Sequence, residues 1–109
     1  MDNKKEDSSL LAANEEYSTL QVDQRDSGLL IVTLNRPAEG NAVNTQMGID
    51  LLDFWTGLVR NGEGGMTRCV VLTGAGEAAF CAGGDMKERD GMSDEAWHHQ
   101  HEIFEQALW

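Results

Sequence analysis

The run Arg68-Cys69-Val70-Val71-Leu72-Thr73 is short, almost wholly apolar and rich in β-branched residues. Following a helix, such a run predicts a strand covered on both faces of a parallel sheet. A parallel neighbour has to arrive through a crossover, so the residues before it should supply strands and a helix. Tyr17 to Asp23 alternates, with Leu20 and Val22 on one side, and reads as a half-buried edge strand. Asp23 to Gly28 reads as a turn, and Gly28 to Leu34 as a deeper strand pairing with the first in a hairpin. The order strand, strand, helix, strand then implies one right-handed crossover.

Asn35-Arg36-Pro37 stops the second strand, because proline fixes its own φ, lacks an N–H and pushes the residue before it toward extended geometry. A loop runs from Pro37 to Asn44. Asn44 or Thr45 can cap a helix whose apolar positions Met47, Leu51, Phe54, Trp55, Leu58 and Val59 recur at three- and four-residue spacing. That helix should end at Arg60, with Asn61-Gly62 in left-handed C-cap geometry and Glu63-Gly64-Gly65 completing the turn. Asp94 and Glu95 open a last helix, with Ala96, Trp97, Ile103, Phe104, Ala107 and Leu108 apolar. No Gly, Asn or Pro stops it before Trp109, so the chain is expected to end mid-helix and to leave an apolar face and a sheet edge uncovered.

Charge excludes several classes of partner. Eight basic against 19 acidic side chains give a formal charge of −11, which repels nucleic acid and anionic lipid. Leu10-Leu11-Ala12-Ala13, inside a polar stretch of residues 1–16, is too short for a signal or a membrane span. The expectation is a cytoplasmic protein with a loose tail over 1–16 and one domain over 17–109. Cys69 and Cys81 are too few for a disulfide framework and read as small hydrophobes near a core. A nucleophilic Cys81 lacks a basic neighbour to activate it.

Chemistry concentrates just after the apolar strand. Thr73-Gly74-Ala75-Gly76 leads to Phe80-Cys81-Ala82-Gly83-Gly84-Asp85-Met86-Lys87-Glu88, small residues around one bulky Phe80. At the C-terminal end of a parallel strand, small residues let backbone N–H groups approach a ligand oxygen. Asp85 with Glu88 has capping-box spacing, so a helix should begin at Met86. The glycines make a strand-to-helix turn, cradle a phosphate or build an oxyanion hole. The phosphate reading lacks both the third glycine of a dinucleotide fingerprint and the Gly-Lys-Ser/Thr of a P-loop.

Leu34-Asn35-Arg36-Pro37 with Asn41-Ala42-Val43-Asn44, and Val70-Val71-Leu72-Thr73-Gly74 with Phe80 to Asp85, resemble the N-terminal half of the enoyl-CoA hydratase/isomerase (crotonase) family. The resemblance covers roughly Thr19 to Glu88. It implies an α/β fold, a ββαβ piece of the crotonase spiral core, truncated before the family's second glycine-rich segment. It implies an acyl-CoA thioester as substrate, coenzyme A as part of that substrate and no other cofactor, and a homotrimer or hexamer. By the same resemblance the Ala82 N–H is one of two oxyanion donors, and Ala42, Ala82, Gly83, Gly84 and Asp85 line the coenzyme A site. Fixed N–H donors aimed at the oxygen of a forming thioester enolate need no reorganisation, each being worth about 3 kcal/mol. The implied reaction is syn addition of water to a 2-enoyl-CoA, as in β-oxidation. The general acid and base glutamates are expected beyond Trp109. An isomerase, dehalogenase or thioester hydrolase would share the segments quoted, and a non-catalytic acyl-CoA-binding or subunit-interaction piece is the reading from another class.

His98 and His101 or Glu102 share a helix face, but a zinc site needs three or four converging ligands. A solvated helix face, with Glu102 and Glu105 beside the imidazoles, accounts for them at no cost. No metal is expected.

Overall fold

A computed structural model describes residues 17–62 and 67–108. The expected tail over 1–16, the turn at Glu63-Gly64-Gly65 and Trp109 lie outside the described residues. Strands β1 (Leu20–Gln24) and β2 (Leu29–Leu34) form an antiparallel hairpin in which Val22 faces Val32 and Leu20 faces Leu34. Its turn is a 3-10 segment, Asp26–Gly28, where Ser27 and Gly28 take positive φ. Helix α1 (Thr45–Gly62) crosses over to β3 (Cys69–Gly74), which pairs parallel with β2, so the sheet order is β1-β2-β3. A short α2 (Met86–Arg89) and a longer α3 (Asp94–Leu108) complete the fold.

Period decides the core. Leu20 and Val22, then Leu30, Val32 and Leu34, alternate into one sheet face, and Met47, Leu51 and Phe54 of α1 pack on it. Ile103, Phe104 and Ala107 of α3 close the same cluster against α1. Side chains of this kind contribute about 1.5–3 kcal/mol each when fully buried. Gly48 is what lets α3 come so close: a Cβ there would stand 2.6 Å from Phe104 Cε1.

Several expectations need correcting. β3 is not covered on both faces, because the helices lie on one side of the sheet; Val70 and Leu72 are half-buried there while Cys69 and Val71 are exposed on the other. Cys69 is therefore no core residue, whereas Cys81 packs against the core. Val59 is 74% exposed, since it falls off the stripe set by Met47, Leu51 and Phe54. The helix also runs through Asn61 and Gly62 instead of capping there. On α3, Gln100 is buried and Trp97 and Leu108 are partly exposed, so the apolar pattern marks the covered face only at Ile103, Phe104 and Ala107. No described helix is long and apolar enough to cross a membrane.

Candidate functional site

Two loops leave the same end of the parallel pair, residues 35–44 after β2 and 75–85 after β3, and one side chain joins them. Asn41 is fully buried with φ 58°, a conformation asparagine tolerates better than most residues. Its Nδ2 donates to Ala75 O at 2.9 Å and Ala79 O at 2.8 Å, and its Oδ1 accepts from the Arg36 N–H at 2.9 Å. All of its amide hydrogen-bonding groups are engaged, so the two loops are held in one arrangement. Gly74 leaves room for this: a Cβ there would meet the Phe80 carbonyl oxygen and lie 2.8 Å from Asn41 Nδ2.

The loops then run side by side. Val43 N–H donates to Gly83 O at 2.7 Å and Asp85 N–H donates to Val43 O at 3.0 Å, a single parallel bridge between Val43 and Gly84. In a parallel bridge the residue between those two bonds turns its own N–H and C=O to the opposite side. Gly84 is that residue, and its N–H has no partner among the described residues. Gly83, at φ 95°, supplies the backbone twist that sets up the bridge.

Asp85 anchors the end of the loop. Its Oδ1 accepts from Lys87 N at 2.9 Å and Glu88 N at 3.2 Å, capping α2, and its Oδ2 lies 3.0 Å from Arg36 Nη1. The hydrogen bond from the Glu88 N–H, chiefly, holds the Asp85 carboxyl below its ordinary value against the opposing cost of burial, with Arg36 adding to the effect. The capping box is only half made, because Glu88 does not reach back to Asp85. Its Oε1 accepts instead from Thr45 N at 2.8 Å, at the start of α1, and from Gln100 Nε2 at 2.9 Å, on α3. Glu88 thus ties α2 to both long helices. Asn44 caps α1 through Met47 N at 2.9 Å.

A cavity of about 450 Å³ opens beside this bridge. Leu34, Leu51, Leu72, Phe104 and Leu108 make its walls apolar, Phe80 and Cys81 border it, and Gly83 and Gly84 form part of its lining with Arg89, His101 and Glu105. Phe80 is 54% exposed. A volume of this size, mostly apolar with few polar groups, has the character of a small-molecule site.

The expected site residues fall unevenly around it. Ala42 and Asp85 are buried neighbours of the loop but not cavity lining; the Ala42 carbonyl accepts from Arg36 Nη1 at 2.6 Å. Gly83 and Gly84 do line the cavity. The Ala82 N–H is already committed, donating to Gly40 O at 3.0 Å, so it is not free to meet a ligand oxygen. Position in a motif could not reveal this, since it depends on where the 35–44 loop passes. Sequence reasoning also passed over Asn41, Glu88 and Arg89 as site residues. Asn41 carried a signal, a buried-type amide between glycine and alanine in a loop, but its partners are 34 and 38 residues away. Among the described residues no three His, Cys, Asp or Glu side chains converge as metal ligands. His101 instead stacks on Trp97 with ring centroids 3.6 Å apart.

Comparison with known proteins points one way. The model of the enoyl-CoA hydratase/isomerase family matches residues 29–108. The chain is 42% identical to the enoyl-CoA hydratase EchA19 of Mycobacterium tuberculosis over 59% of its length and 23% of that protein. It is 42% identical to the (E)-benzylidenesuccinyl-CoA hydratase of Thauera aromatica, over 52% of its length and 21% of that protein. The crystal structure of an enoyl-CoA hydratase from Bacillus anthracis superimposes with a TM-score of 0.71 at 36% identity, covering 79% of this chain and 32% of that one. The matches therefore span about a quarter of the length of such curated relatives and about a third of the solved chain.

Proposed function

The chain belongs to the enoyl-CoA hydratase/isomerase family, and from that premise we propose that it binds an acyl-CoA thioester with the acyl group in the apolar cavity and the thioester oxygen on the Gly84 N–H. The observation that carries this reading is the unengaged Gly84 N–H at the rim of a cavity of about 450 Å³. Ala82, the donor expected by resemblance, gives way to Gly84, two residues on, because Gly40 holds the Ala82 N–H. A backbone donor fixed by the Val43 bridge and by the Asp85 cap strengthens its hydrogen bond as negative charge gathers on the oxygen. In such a site polarisation of the thioester carbonyl makes the β-carbon of a 2-enoyl-CoA electrophilic; water adds there and a proton goes to the α-carbon, and this is the reaction proposed for the whole enzyme.

Ala42, Ala82, Gly83, Gly84 and Asp85 remain the proposed neighbourhood of coenzyme A, which enters only as part of the substrate. Two further proposals are assembly as a trimer or hexamer, from the family resemblance, and a cytoplasmic location, from the short apolar stretch Leu10-Leu11-Ala12-Ala13 among polar residues. The acid and base residues of hydration are not assigned to any glutamate of this chain. The test is equilibrium binding: butyryl-CoA should bind more tightly than free coenzyme A, and Gly84→Pro, which deletes the N–H, should abolish that advantage. Equal affinity for the two ligands in the unmodified chain would refute the reading.

A further inference from the structure

The cavity holds one group that the proposed chemistry does not use. Arg89, the last residue of α2, lines it, and its Nε is buried without a hydrogen-bond partner among the described residues. None of the ion pairs among the described residues includes Arg89, although the chain carries a formal charge of −11. The guanidinium lies against Gly84: a Cβ at that glycine would stand 3.1 Å from Nη2 and 3.4 Å from Cζ. Glu105 and His101 also line the cavity, but Glu105 is exposed and forms no ion pair with the guanidinium.

A buried polar group without an acceptor calls for a partner, and a guanidinium fork matches a carboxylate with two parallel hydrogen bonds. Arg89 sits among apolar walls such as Leu72 and Phe104, where a paired carboxylate is desolvated and held more strongly than at the surface. With Nη2 3.1 Å from where a Cβ of Gly84 would stand, the guanidinium lies beside the proposed thioester donor, on the side of the cavity that a short acyl chain would enter. We infer that the preferred ligand is an acyl-CoA whose acyl chain carries a second carboxylate, which Arg89 binds. This rests on the reading of the cavity as the acyl site and names the substrate class for it.

The experiment is calorimetric titration of the chain with butyryl-CoA, glutaryl-CoA and free coenzyme A, repeated with Arg89→Met and Arg89→Gln. Glutaryl-CoA should bind roughly tenfold or more tightly than butyryl-CoA, the scale of one charge-assisted pair. Both variants should erase that preference, so that glutaryl-CoA and butyryl-CoA bind them equally, with circular dichroism confirming that each is folded. If one variant does not fold, the other and the wild-type preference still decide. Equal affinity of wild type for the two thioesters overturns the inference while leaving the acyl site in place. So does a loss shared equally by all three ligands, which would assign Arg89 to a coenzyme A phosphate. If butyryl-CoA binds no better than free coenzyme A, the acyl-site reading fails, and this inference falls with it.

Discussion

Arg36 holds Asp85 and Ala42 with one nitrogen: Nη1 lies 3.0 Å from Asp85 Oδ2 and donates to the Ala42 carbonyl at 2.6 Å. The arginine that ends β2's extension thus fixes both loops that meet at the Val43 to Gly84 bridge. Its side chain is 18% exposed and that of Asp85 9%, so the pair is shielded but not dry.

Asp85 gives the loop a pH dependence of definite sign. Its carboxyl titrates below the ordinary value, so the folded state favours the ionised form. The stability it contributes is complete above the unfolded carboxylate pKa of about 3.9 and is lost as pH falls through the lowered folded value. Asp85→Ala should cost about 1 kcal/mol for the cap, plus a partly screened share for the ion pair. Urea unfolding from pH 7 down to pH 3 should show this difference shrinking at the acid end; a difference independent of pH would contradict the assignment.

Asn41→Asp keeps the shape of the side chain but removes both donors and sets a carboxylate against the Ala75 and Ala79 carbonyls. We expect a loss of about 2–4 kcal/mol, from two unpaired acceptors and a buried charge. Amide hydrogen exchange should speed up in residues 75–80 before it does in α1. Unchanged protection there would mean that Asn41 does not join the loops.

Gly48→Ala would ordinarily favour a helix by about 1 kcal/mol. Here the new methyl would collide with Phe104, at 2.6 Å from Cε1 and 2.8 Å from Cδ1, and with Ile103 Cγ2 at 3.2 Å. Overpacking of that kind costs about 1–3 kcal/mol, so the net change should be destabilising. Thermal unfolding decides: a raised midpoint would show that α3 does not pack on α1 as described.

Gly84→Pro and Ala82→Pro separate the two candidate donors. The first removes an N–H that bonds to no described residue, and its added atoms meet only the end of the flexible Arg89 side chain, 3.1 Å from a Cβ there, so it should cost less stability than the second and lower butyryl-CoA affinity about tenfold or more. The second removes the bond to Gly40 and should cost about 1 kcal/mol of stability. Paired calorimetry and unfolding curves test this, and the reverse pattern would restore Ala82 as the donor.

Much of this was legible beforehand. Alternation in Leu20 to Leu34, the spacing of Met47, Leu51 and Phe54, and the proline at position 37 are local signals, and the strand, helix and loop order follows from them. The half-made capping box shows where local reading stops. Asp85 caps α2 as its spacing predicts, yet Glu88 is drawn away to Thr45 and Gln100, partners 43 and 12 residues distant.

The Phe80 to Asp85 loop draws the same line. Its small residues, the helix start at Met86 and the likeness to a known family depend on residue type and order, which the chain carries without folding. Which N–H is free depends on what each one meets: Gly40 comes to Ala82, and Val43 pairs on both sides of Gly84 and leaves the glycine's own N–H outward. That the Arg89 Nε meets no acceptor among the described residues is equally a matter of what does not come near. Hydrogen bonds are made at contact distance, and only the tertiary structure brings residues far apart in the chain to that distance.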